Sequence, residues 1–105
     1  MDVLFQSTDQ KLEVLLRGEV DHHSARGISD TIDFKIRRQK PAVLILDFGE
    51  VSFMDSSGLA VVMGRRKLMR QLGGKVELCR LHGNIKKIFD MAEIGRYVSL
   101  KEEVK

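Results

Sequence analysis

The most informative stretch of this 105-residue sequence is Ser52-Phe53-Met54-Asp55-Ser56-Ser57-Gly58-Leu59, where a carboxylate and two hydroxyls meet a glycine between a probable strand and a probable helix. The first amides of a helix have no intrahelical partner and its dipole is positive there, so a phosphoryl group on a serine in this turn would be held by charge and by hydrogen bonds. Ser56, directly after Asp55, is the candidate acceptor. The same residues also suit ordinary helix capping, with Asp55 or a serine satisfying free amides and Gly58 permitting close approach. Hydrolysis fits poorly, because the stretch is not G-x-S-x-G and no histidine stands in a sequence relation that would make it the base. The sequence has no G-x-x-x-x-G-K-[ST] loop and no G-x-G-x-x-G turn, so a phosphoryl donor has no standard cradle here. The chain therefore reads as a non-enzyme without a cofactor, and another protein would modify Ser56. His22-His23 suggests no metal site, since adjacent histidines seldom converge on one ion and no Cys/His set accompanies them.

The flanking pattern must position that turn. Val3-Leu4-Phe5 and Leu12-Glu13-Val14-Leu15-Leu16 flank the turn-forming Ser7-Thr8-Asp9-Gln10, which predicts a hairpin followed by a connection at Gly18-Glu19-Val20-Asp21. Ala25, Ile28, Ile32 and Ile36 recur at helical spacing, with Asp21 or Ser24 available as a cap and Pro41 forcing an end near Arg38 or Gln39. Ala42-Val43-Leu44-Ile45-Leu46 reads as a central strand apolar on both faces. A second helix is predicted from Ser57 to the stop at Gly73-Gly74. A strand at Val76–Cys79, a helix carrying Ile85, Ile88, Phe89 and Ala92, and a last strand at Tyr97–Leu100 follow. The order β-β-α-β-α-β-α-β implies an α/β fold: one domain over residues 1–105, a mixed sheet with an initial hairpin and then βα units, and helices packed on it. The core is expected over about residues 3–100, with 101–105 as a charged, fraying tail.

Composition narrows the class of partner. Hydrophobic residues are 43% and charged residues 31%, a balance that supports a folded, soluble domain. The net charge of +3 hints at an anionic partner, but residues 1–33 hold seven acids and three bases, so the basicity is local. Its densest piece, Arg65-Arg66-Lys67 with Arg70 and Lys75, reads as a solvated helix face in preference to a nucleic-acid surface. The longest apolar runs are five residues, which excludes a helical membrane span, and the amino terminus lacks a secretory pattern, so the cytoplasm is the expected compartment. Cys79, the single cysteine, lies in a strand alternation and reads as a buried thiol.

Gly18-Glu19-Val20-Asp21-His22-His23, Leu44-Ile45-Leu46-Asp47, Val51 to Leu59, Gly73-Gly74 and Ile88-Phe89-Asp90-Met91 together resemble the bacterial anti-sigma factor antagonists with a STAS domain, of the stage II sporulation protein AA type. The likeness spans roughly Val3 to Leu100. It implies a small mixed sheet with packed helices, and a domain that is a monomer when free and binds an anti-sigma factor that is also an ATP-using serine kinase. By that resemblance Ser56 is the phosphorylated residue. Asp55 orients it or contacts the kinase, Ser57 and Gly58 start the helix within the partner surface, and Asp21 belongs to a loop beside the serine. Unphosphorylated protein would bind the anti-sigma factor and free the sigma factor in sporulation or stress; phosphorylation would end binding, and a serine phosphatase would restore it. A STAS scaffold or nucleotide-sensing module is the alternative.

Overall fold

β-Branched and leucine-rich segments form the strands, and the turn residues between them decide the connections. The computed structural model describes residues 1–101. Strands β1 (Asp2–Thr8) and β2 (Lys11–Val20) pair antiparallel across a tight turn in which Asp9 adopts φ 51°, a left-handed conformation that aspartate tolerates. Helix α1 (Ala25–Gln39) ends where Lys40 leaves the right-handed region just before Pro41. Strand β3 (Val43–Met54) leads into α2 (Ser57–Gln71), β4 (Lys75–Cys79), α3 (Gly83–Met91), a short 3-10 turn at Ile94–Arg96 and β5 (Ser99–Lys101). The tail expected over 101–105 lies, apart from Lys101, outside the described residues.

The sheet order is β1-β2-β3-β4-β5, with β2 to β5 mutually parallel. Parallel strands added in one direction by right-handed crossovers place their helices on one face. A single core accordingly joins Leu12, Val14 and Leu16 of β2, Leu44, Leu46 and Phe48 of β3, and Ile32, Val61 and Phe89 of the three helices. The Phe48 and Phe89 rings meet edge to face with centroids 5.2 Å apart. β3 is central, as its apolar run predicts, but only one of its faces carries helices. On the other, Ile45 is shielded between its register neighbours Glu13 and Glu77.

Two strands are longer than the sequence pattern suggests. Gly18-Glu19-Val20 belongs to β2 and is not a connection, and β3 continues past the apolar run through Phe48 to Met54. The register between β2 and β3 shifts twice: Leu15 faces Asp47 while Arg17 faces Glu50, and Gly18 faces Val51 while Glu19 faces Phe53. Each bulge puts two consecutive residues of β3 outward. Val51 and Met54 are thereby returned to the core, and the strand carries the serine turn to the carboxyl end of the sheet.

Cys79 is fully buried, and burial, with the nearby Asp47 charge, pushes its thiol up to about 12. It is therefore protonated at neutral pH and a poor nucleophile.

Candidate functional site

Two helix starts meet at the carboxyl ends of β2 and β3. Val20 and Met54 are paired in register, and the next residue, Asp55, donates its backbone N–H to the Val20 carbonyl at 3.1 Å. This bond ties the Asp21 loop to the Asp55-Ser56 turn, although the two are more than thirty residues apart in sequence.

Both aspartates cap. The Asp21 Oδ1 accepts the His23 N–H at 3.0 Å and the Ser24 N–H at 2.9 Å, while the Ser24 Oγ accepts the Asp21 N–H at 3.0 Å and donates to the Glu19 carbonyl at 3.0 Å. Asp21 and Ser24 thus act reciprocally, in the manner of a capping box. Asp55 Oδ1 accepts the Ser57 N–H at 2.8 Å. The Ser24 amide is the main cause holding the Asp21 carboxyl below its ordinary range, and the Ser57 amide does the same for Asp55, with the His22 amide adding to it. The two carboxylates are close enough that the charge of Asp21 opposes the shift on Asp55.

Ser56 is left free by this arrangement. The Gly58 and Leu59 N–H groups bond the Asp55 and Ser56 carbonyls at 3.1 and 3.0 Å, so the first turn of α2 closes tightly on Asp55. Ser56 already has helical dihedrals, φ −63° and ψ −13°, and makes no capping hydrogen bond with its side chain. Its hydroxyl is exposed at the positive end of a 15-residue helix. Ser57 is half-buried and begins α2.

Gly58, whose sequence position suggests a close approach, makes that approach toward the core. It is buried, and a Cβ there would overlap the sulfur of Met54, itself 2% exposed. The close approach it permits is inward, to the core methionine at the end of β3.

The basic segment does not form one solvated face either. Arg65 turns inward between α1 and α2, where its Nε lies 2.7 Å from Asp33 Oδ1, and Arg66 reaches the Tyr97 carbonyl at 2.9 Å. The residue that sequence reasoning passed over is Phe53, 49% exposed beside the serine turn and opposite Glu19 in register. An aromatic next to a strand's apolar run reads as core, and only the second bulge turns it outward.

The chain matches the STAS domain model over residues 3–105. It is 37% identical over 89 residues to an anti-sigma F factor antagonist of Paenibacillus polymyxa, covering 85% of this chain and 76% of that protein. It is 26% identical to an anti-sigma-B factor antagonist of Listeria monocytogenes, covering 96% and 87%. Among solved structures, the phosphorylated form of the Bacillus cell fate determinant SpoIIAA superposes with a TM-score of 0.74 at 27% identity, over 97% of this chain and 93% of that one. With the mixed five-stranded sheet and the Asp-Ser-Ser-Gly turn at its carboxyl end, these matches make the chain a member of the STAS domain family, in its anti-sigma factor antagonist branch.

Proposed function

We propose that this protein is a phosphorylation-switched antagonist whose unphosphorylated Ser56 surface binds an anti-sigma factor in the cytoplasm and so releases a sigma factor. The observation that carries the reading is the free hydroxyl of Ser56. In a turn where Asp55 and Asp21 satisfy the helix amides, the Ser56 side chain makes no capping bond and is free to be modified.

In the proposed cycle the partner is also the kinase: Ser56 Oγ attacks the γ-phosphorus of its ATP, ADP leaves, and the hydroxyl proton passes to a base on the kinase. The product carries about −1.5 to −2 additional charges at neutral pH. They appear beside Asp55 and Asp21, both ionised, on a face that also presents Phe53 as an apolar contact. In a packed interface that charge meets repulsion and desolvation, and a loss of about 3 kcal/mol weakens binding more than a hundredfold. No refolding is needed, because the modified oxygen holds nothing in place. A serine phosphatase would reverse the step.

Incubation with the cognate kinase and ATP should add one phosphate to the wild type and none to Ser56→Ala, with both proteins equally stable to urea. Phosphorylation of the alanine variant at the wild-type rate would refute the assignment.

A further inference from the structure

Away from the serine turn the molecule carries a second surface that the antagonist reading does not use. The carboxyl-terminal half of α2 and residues 95–99 flank an open concavity of about 440 Å³, lined by Arg66, Arg70, Arg96 and Tyr97 among others. A second one of about 490 Å³ continues along α2 and shares Arg66 and Arg70, adding Lys67 and Met63. At 1.5 Å per residue, Arg66 and Arg70 stand about 13 to 20 Å along the helix from Ser57. The groove is therefore separate from the phosphoacceptor.

Its cations are poorly neutralised. Arg66 is immobilised by its bond to the Tyr97 carbonyl and lies 5.2 Å from the centroid of the Tyr97 ring, so the outer edge of its guanidinium is presented with little rotamer entropy left to lose. Arg70 and Lys67 are exposed and have no ion pair among the described residues. Arg96 has only Glu93, at 3.5 Å with both side chains about 70% exposed, a pair worth little in water. Lys75, at the groove's edge, leans toward Glu77 at 3.6 Å.

We infer that this groove docks an acidic peptide segment of a protein partner. Its extended, open shape spans two concavities and suits a chain better than a small anion, which needs an enclosed set of donors. Nucleic acid fits less well: Tyr97 is the sole aromatic lining residue and Arg66 already covers its face, so no stacking platform is left, and a concave surface cannot enter a duplex groove. Forked arginine donors spaced one turn apart match carboxylates of an extended acidic run. Because the groove is distant from Ser56, a partner held there would stay tethered whichever state Ser56 is in.

The test is fluorescence anisotropy of the full chain with a labelled deca-glutamate peptide at low salt, with duplex DNA as competitor. Binding should be saturable, weaken as salt rises, and fall about tenfold or more in Arg70→Glu combined with Arg96→Glu. It should change less than about twofold in the charge-matched Lys86→Glu with Lys87→Glu on α3, and not at all in Ser56→Asp. Absence of binding, an equal loss in the α3 variant, or displacement of the peptide by DNA at lower concentration than by unlabelled peptide would each overturn the inference. A fault in the Ser56 assignment would leave all these results unchanged.

Discussion

Helices α1 and α2, which begin after the two capping aspartates, are bridged by an ion pair whose removal can be read quantitatively. Arg65 Nε and Asp33 Oδ1 are 2.7 Å apart with side chains 10% and 25% exposed, yet neither atom has a well-directed hydrogen bond among the described residues. At an effective dielectric constant of about 20 the gross attraction at this distance is about 6 kcal/mol. Burial opposes it: desolvation is the leading cause that raises the Asp33 carboxyl and lowers the Arg65 guanidinium, so for both groups the charged form is disfavoured overall. The pair therefore adds little net stability, but breaking it on one side does harm.

Asp33→Ala strands the Arg65 cation and should cost about 3 kcal/mol, the low end for a broken buried pair because a quarter of the Asp33 side chain still meets water. Arg65→Met should cost less, since Asp33 can protonate. Replacing both, Asp33→Ala with Arg65→Met, should restore stability to within about 1 kcal/mol of the wild type. Urea titration followed by circular dichroism measures all four proteins; with a slope of about 1.5 kcal/mol per molar, the first variant's midpoint falls by about 2 M. A double variant as unstable as Asp33→Ala alone would show that the ion pair is a net stabiliser and that the reasoning is wrong.

Three further predictions concern the site. The Asp21 and Asp55 carboxyls are held below 3.8 in the folded protein, so their contribution to stability is present above that pH and is lost as pH falls through the lowered values. Asp21→Asn and Asp55→Asn, which keep a capping oxygen, should each flatten the acid limb of the urea midpoint against pH; Asp33, whose carboxyl is raised, has the opposite slope, so a wild-type-like limb in both variants would exclude the two caps as its source. Gly58→Ala should destabilise by about 1 to 3 kcal/mol in thermal melts, because its Cβ overlaps the buried Met54, and the cost should shrink when combined with Met54→Ala. Phe53→Ala should leave the melting temperature unchanged and weaken binding to an anti-sigma factor about tenfold in a calorimetric titration, whereas unchanged affinity would remove Phe53 from the proposed surface.

What could be read from the sequence follows where local pattern and tertiary structure agree. The spacing of Ile28, Ile32 and Ile36 gives α1, the Gly73-Gly74 pair ends α2, and the β-branched run before Asp47 is the central strand. The pattern fails where two bulges break the alternation of β3, since Phe48, Val51 and Met54 all face inward at spacings of three, which no strand rule anticipates. That failure hides Phe53 and the true length of β2. The Arg65 to Arg70 segment misleads for a different reason: a run of adjacent charges looks uniform, whereas a helix sends neighbours about 100° apart, Arg65 toward Asp33 and Arg66 toward Tyr97.

The bulges also explain how the serine turn can carry the regulatory task proposed for it beside a structural one. They extend β3 until Met54 packs under Gly58 and Asp55 bonds to Val20, which fixes the turn from below by core contacts and from the side by the sheet. With Asp55 and Asp21 supplying the caps, the helix starts do not depend on the serine hydroxyl. A modification that adds charge to Ser56 then changes what the surface presents while leaving every bond that positions it intact. A turn capped by Ser56 itself would have coupled the proposed switch to the stability of α2, and the charge difference would have come with a structural one.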